Sequence, residues 1–325
     1  MTRKINNSYE LGQSNAPTDG GDMLKTRGDG TLVWEGVADT TYEPATWYGG
    51  RGVFGGGEES PGNTIDYITI STTGNALDFG DLSEAFSGGC SNGSRGVWGG
   101  GDGYQLTIKY VTISTIGDAI SFGNLTQARF YIAGCSDGSR GIFGGGKISG
   151  GTTNTIDYVT ISTTGNATDF GNRTVSWEGG TGISNSVRGI MGGGANGSFY
   201  NDIDYITIQT TGNATDFGDL SVARSKLAGC SDATRGLFGG GSDGGTGNVI
   251  DYITVATTSN ATDFGDLTVG HNGLSSCSDG TTGVFAGGSG TNNTISYVTI
   301  QTTANATDFG NLTVARQGSE AVSGD

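Results

Sequence analysis

Proline, histidine and cationic side chains are scarce in this chain: its 325 residues include three Pro, one His, and 16 Lys and Arg against 32 Asp and Glu. The shortage of Pro, with Gly absent from a strict every-third-residue pattern, excludes a collagen-type helix. A formal charge of −16 disfavours nucleic acid, which selects clustered cations, and an anionic bilayer would repel the chain in the same way. No run approaches the roughly 20 apolar residues of a membrane span, and the opening MTRKINNSYELGQSNAP lacks the apolar stretch of a secretory signal. With one His, His271, neither a two-histidine copper centre nor a Ser-His-Asp site with its G-x-S-x-G elbow can be assembled. Cofactors are therefore expected to be none, and enzymatic activity is not expected.

What the chain has in excess is Gly, 64 residues, together with 13 Phe, 12 Tyr and 4 Trp that can anchor a core. The Gly recur with the rest of the sequence. RGVFGGG at Arg51 returns at Arg95, Arg140, Arg188, Arg235 and, as TGVFAGG, at Thr282, in steps of 44, 45, 48, 47 and 47 residues. Each copy carries a run like IDYITI (from Ile65), a closing ATDFGDL-type string and a GCSDG-type string before the next Arg-Gly pair. Four short segments rich in β-branched and aromatic residues, separated by Gly, Asn and Asp, predict four antiparallel strands per repeat. Asn92-Gly93, Asp137-Gly138 and Asp279-Gly280 fit two-residue hairpins with positive φ at both central positions.

In IDYITI, Ile65 and Tyr67 point one way and Ile68 and Ile70 the other, so each sheet has two apolar faces and must pack between neighbours. Six such units of about 46 residues predict an all-β, six-bladed β-propeller of four-stranded antiparallel blades. The domains are residues 1–45, a short N-terminal extension, and 46–325, the propeller. Ala321, Val322 and Ser323 align with the start of a unit, so the C-terminus is expected to supply the innermost strand of the blade that begins near Arg51, with residues 43–48 as competitors for that place.

The units resemble kelch repeats, with an apolar strand ending in paired Gly, a polar loop, a strand, an aromatic strand and an Arg-bearing return; Ser221 to Leu267 shows the layout best, with Phe where a kelch unit has Trp. LKTRGDGTLVW resembles the small N-terminal module of fibre and tail proteins of tailed bacteriophages, and the repeated TTGNATDFGDLTVAR resembles kelch-like virion proteins of phages. These resemblances imply a non-enzymatic structural or adhesion component of a virion (tail, fibre or collar). Residues 1–45 would dock to other virion proteins, and the propeller would bind a host-surface glycan or a neighbouring virion protein. Nucleic acid and membrane insertion are not expected as partners, and a homo-oligomer is left open. The alternatives are a free carbohydrate-binding lectin and a glycosidase working through a carboxylate pair.

Several motifs have plain structural readings. Cys90, Cys135, Cys230 and Cys277 share one repeat position with Ile183 and Val322, which predicts buried free thiols. The DFG strings lack every kinase partner, and the triple Gly lack a following helix and GK(S/T). Arg27-Gly28-Asp29 reads as a turn, Asp216 and Asp219 as structural residues, and Asn166 and Asn213 as turn residues. The Arg of each Arg-Gly pair, such as Arg140 and Arg235, is expected to pair with an Asp in a turn.

In an up-and-down blade, the loops between second and third strands share a face with the links between blades, and there the copies depart from one another. That variable face carries the candidate ligand-binding residues: Glu58, Tyr104, Phe130, Tyr131, Trp177, Phe199, Tyr200 and His271, accompanied by Glu59 and Glu178. Aromatic rings with polar edges suit sugar faces or a partner protein; the competing reading is that some of them tuck between blades.

Overall fold

The structure is a computed structural model that describes the backbone of residues 22–26 and 32–36, and residues 48–58, 62–82, 88–245, 247–290 and 292–325 in full. The chain falls into two compact units, Met1–Pro44 and Ala45–Asp325. In the first, Asp22–Thr26 pairs antiparallel with Leu32–Gly36, Thr26 opposite Leu32. Arg27-Gly28-Asp29 and Glu59 lie outside the described residues.

The second unit is a six-bladed β-propeller of four-stranded antiparallel blades, and among the described residues there is no helix long and apolar enough to cross a membrane. Blade 3 is representative: Ala133–Ser136, Arg140–Gly144, Thr155–Thr160 and Thr168–Asn172 run from the hub outwards. The other inner strands are Gly88–Ser91, Thr181–Ser184, Ala228–Ser231, Ser275–Ser278 and Glu320–Gly324. Glu320–Gly324 pairs with Arg51–Gly55, so the C-terminus takes the inner place of blade 1. It also touches the inner strands of blades 2 and 6, which closes the ring.

Both faces of each sheet are apolar because each faces another sheet. Ile65 and Tyr67 pack with Trp98, Val111 and Ile113 of blade 2, whereas Ile68 and Ile70 pack with Val284, Ile295 and Phe309 of blade 6. Six such clusters alternate with the blades. Each also holds an edge-to-face Tyr–Phe pair, such as Tyr67 with Phe79 at 6.0 Å between centroids.

The repeat's conserved-looking letters are contacts between blades. Cys90 faces Gly141, Cys135 faces Gly189 and Cys230 faces Gly283, where a Cβ would meet the sulfur at 2.4, 2.9 and 2.7 Å. Thus the Gly of each Arg-Gly pair leaves room for the previous blade's Cys, Ile or Val. All four thiols are free and buried, and burial pushes them above the usual thiol range. At the hub, serine hydroxyls bond round the ring: Ser136 to the carbonyl of Ser91 (2.5 Å), Ser184 to that of Ser136 (2.6 Å), Ser231 to that of Ser184 (2.7 Å) and Ser278 to that of Ser231 (2.6 Å).

The TTGNAT turns protect the outer edges. In blade 4, Ala214 N–H donates to Asn172 of blade 3 (2.8 Å) and Asn213 Oδ1 accepts from Asn172 N–H (3.0 Å). Corresponding bonds recur at all six junctions, so each turn occupies polar groups that an outermost strand would otherwise expose. The Gly of DFG follows from this: a Cβ on Gly80 would lie 2.5 Å from the carbonyl oxygen of Gly117 in the next blade's turn.

Two local expectations are corrected. In the inner hairpins only the Gly has positive φ (Gly93, Gly138 and Gly280); Asn92 does not. Its Oδ1 instead accepts from the N–H groups of Ser94 (3.1 Å) and Arg95 (2.7 Å), and Asn185 and Asp232 do the same in copies without Gly. The reversal is an Asx turn that needs Asn or Asp first and merely tolerates Gly second. Arg140 and Arg235 do not form side-chain ion pairs with these Asp residues. The Arg140 guanidinium donates to the carbonyl of Ile208 in the next blade (3.1 Å) and stacks 4.6 Å over Tyr158; Arg235 reaches Ile300 (3.0 Å) and Tyr252 (4.3 Å).

The buried ion pairs belong to other arginines, in the links between blades: Arg129–Asp157 (2.9 Å), Arg173–Asp204 (2.9 Å), Arg224–Asp251 (2.9 Å) and Arg316–Asp66 (2.8 Å). Each Asp is the charged residue of an IDY run, and Thr126, Thr174, Ser221 or Thr313 also donates to it. At the link into blade 6, both charges are absent: Ser296 replaces the Asp and bonds Thr268 at 2.5 Å.

Candidate functional site

Links between blades climb over one face and return to the hub, and there they share a backbone geometry. Tyr131, Gly179, Lys226, Gly273 and Gly318 hold the same place in five successive links, each four residues before the Cys, Ile or Val of the next inner strand. All five are left-handed, with φ of 54, 69, 55, 71 and 67°. Their backbones form a chain: N–H of Gly179 to C=O of Tyr131 (3.1 Å), Lys226 to Gly179 (2.5 Å), Gly273 to Lys226 (2.7 Å) and Gly318 to Gly273 (2.8 Å). The sixth link, residues 83–87, lies outside the described residues.

Left-handed backbone favours Gly and costs other residues on the order of 1–2 kcal/mol. Tyr131 and Lys226 accept that cost, and among the described residues the one other non-Gly with positive φ is Tyr104, at 60°, on the same face. Their side chains converge. Lys226 Nζ donates to the Tyr131 hydroxyl (2.9 Å), which donates to Glu58 Oε1 (2.5 Å), and Gln317 Nε2 donates to Glu58 Oε2 (3.0 Å). The intervening Gly179 has no side chain to obstruct the first contact. Burial, the Glu58 hydrogen bond and the charges of Glu58, Glu178 and Asp102 all push the Tyr131 phenol above its usual range, so it remains a donor.

Phe130 lies 4.4 Å from Tyr131 and 5.3 Å from Tyr104 between ring centroids, the latter edge to face. Lys147 Nζ sits 5.6 Å from the Phe130 centroid and 3.4 Å from Glu178 Oε2. The result is an aromatic platform with Tyr104 exposed at its edge, rimmed by paired ammonium and carboxylate groups.

Of the eight candidate residues, the structure brings four together: Glu58, Tyr104, Phe130 and Tyr131. Phe199 is exposed elsewhere on the face, and Tyr200 packs half-buried against the core between blades 3 and 4. Trp177 is not on the surface. It is fully buried beneath the Arg173 guanidinium, 3.7 Å from its ring, and fills space left by Gly145, Gly180 and Gly194. His271 is partly buried against Gly288, its carbonyl accepting from Gly241 (2.9 Å), and desolvation lowers its imidazole pKa.

Lys226, Gln317 and Lys147 join the site without having been singled out by sequence. Lys226 carried a signal: aligned on the hub position, Phe86, Tyr131 and Lys226 are the non-Gly residues at a place that holds Gly in the other three links. Gln317 and Lys147 carried none, because which loops meet depends on ring closure. No protein-family model matches the chain, and no curated protein is similar to it.

Proposed function

We propose that this propeller is a non-enzymatic binding module whose Tyr104–Phe130–Tyr131 platform takes a host-surface glycan, within a structural or adhesion component of a tailed-phage virion. One observation carries the binding reading: two residues stand in left-handed positions that three sister links give to Gly, and their side chains meet at one polar cluster beside the platform. Strain kept where three sister links have Gly, at a face rather than in the core, marks a place where side chains matter for more than packing. A ring with polar groups at its edge suits a sugar, which offers an apolar C–H face and peripheral hydroxyls.

The carboxylates near the platform favour binding over glycoside cleavage, since Glu58 is engaged by Tyr131 and Gln317, and Glu178 by Lys147. The virion setting rests on the resemblance of residues 1–45 and of the repeats to phage structural proteins, with residues 1–45 docking to the particle. Glycan-array binding by the full chain tests the ligand class: retention without turnover of bound polysaccharide is expected, and cleavage would favour the glycosidase. Mass spectrometry of purified particles tests the setting, and absence of the chain would remove it.

A further inference from the structure

Two ammonium groups stand at the rim of the platform, and both are already engaged. Lys147 Nζ lies 3.4 Å from Glu178 Oε2 and 3.5 Å from Glu178 Oε1. Lys226 Nζ donates to the Tyr131 hydroxyl (2.9 Å) and sits 4.5 Å from the centroid of the same ring. That phenol donates in turn to Glu58, so one hydroxyl bridges Lys226 to a carboxylate. Arg129, directly before Phe130 in the chain, adds no charge at the surface, because it is buried in its pair with Asp157.

Carboxylates outnumber these lysines. Glu58, Glu178 and the exposed Asp102, two residues before Tyr104, all act electrostatically on the Tyr131 phenol. Three negative charges against two positive leave the rim one charge negative. Its acceptors are not exhausted, since a carboxylate has about four lone-pair sites. Glu58 commits one on each oxygen, to Tyr131 and Gln317, and Asp102 commits Oδ1 to the N–H of Gly103 (2.9 Å).

This balance separates sugars by charge. An acidic sugar stacked on Phe130 and Tyr104 would give up water beside a net negative rim, and each lysine it could reach is held by another group. The formal charge of −16 extends the same repulsion to longer range. A neutral sugar meets no such penalty: its C–H face covers the rings, and its hydroxyls donate to the remaining carboxylate lone pairs. A free amine on the sugar adds attraction to that rim.

We propose that the platform selects glycans without carboxylate, sulfate or phosphate groups, and that Glu178 and Glu58 set this preference by engaging Lys147 and, through Tyr131, Lys226. A sugar that bears a free amine binds at least as well as its neutral parent. The inference rests on the glycan reading of the platform and names the class of sugar it takes.

The test applies the full chain to an array of neutral, amine-bearing, uronate, sialylated, sulfated and phosphorylated glycans. Hits should be neutral or amine-bearing. An acidic derivative of a bound glycan should bind at least about tenfold more weakly at low ionic strength, and the gap should shrink in about 1 M salt, which screens the rim. Glu178→Gln releases Lys147 and should raise the ratio of acidic to neutral affinity by about tenfold, the scale of one charge-assisted contact. Asp102→Asn, at an exposed position, should raise that ratio by about threefold. Should Glu178→Gln fail to fold, the ratio in Asp102→Asn decides. Preferred binding of an acidic glycan, or a ratio that the variants leave unmoved, would overturn the proposal while the platform stands as a sugar site. Binding of no glycan at all would remove both.

Discussion

Lys226 and Tyr131 lie 95 residues apart in links that enter different blades, yet the ammonium of one donates to the hydroxyl of the other at 2.9 Å. Both backbones are held left-handed to make this contact, with φ of 55 and 54°. The fold gains little from it, because the same place in three other links is Gly. The pair therefore separates what the ring needs from what the face presents.

Replacing Lys226 by Gly relieves a strained backbone while deleting one part-buried bond. Chemical denaturation should give a stability unchanged or raised by up to about 1 kcal/mol. Glycan binding by the same variant should weaken by at least about tenfold. A variant that loses stability as much as binding would make the lysine a structural residue.

The inner strands approach too closely for a Cβ. On Gly134 it would lie 2.0 Å from the carbonyl oxygen of Gly89, a backbone atom that cannot move aside. Gly134→Ala should cost about 3 kcal/mol or more by forcing hub strands apart. Gly165→Ala, at a turn with open space around it, should be nearly neutral. Equal costs in thermal unfolding would contradict the close-approach explanation.

Asp157 is fully buried against Arg129, and its removal strands a guanidinium that also bonds the carbonyls of Gly145, Thr155 and Phe143. Asp157→Ala should destabilise by about 3–5 kcal/mol. Replacing both, as Arg129→Leu with Asp157→Ser, should cost less than the single change, since the link into blade 6 already works with Ser296 and Thr268. A double-mutant cycle by urea unfolding measures the difference.

Burial among the hub strands raises the Glu320 carboxyl well above the usual carboxylate range. The folded state then holds a proton that the unfolded chain releases near pH 4.3, so stability falls as pH rises from there through the raised value. Glu320→Gln should flatten that slope. The titratable groups on the adjoining strands are Cys277, Cys90 and, at the far ends of Arg51–Gly55 and Arg95–Gly99, Arg51 and Arg95. Both thiols are themselves raised by burial, so neither titrates in this window. An identical slope in the variant would assign it elsewhere.

The six-bladed ring was legible because each repeat states its strands and its two apolar faces within about 46 residues, and because Ala321, Val322 and Ser323 announce an unpaired inner strand. Contacts that cross between copies were harder to read. Asp157 looks like an interruption of an apolar run until Arg129 is placed over it, and Asn213 looks like turn composition until its carbonyl is seen to hold the neighbouring blade. At the candidate site, departures from the repeat located the face and four of its residues. They misplaced Trp177, because a large ring beside three Gly reads as exposed in sequence and fills their space in the fold.

Recognition through the linker face is tested most directly by surface plasmon resonance of the full chain on immobilised host-surface polysaccharide. The comparison is between the wild type, a Tyr104→Ala/Phe130→Ala variant, and Thr164→Ala on the opposite face. The platform variant should bind at least about tenfold more weakly while melting like the wild type, and Thr164→Ala should bind unchanged. Equal binding by all three, or loss confined to Thr164→Ala, would contradict the account.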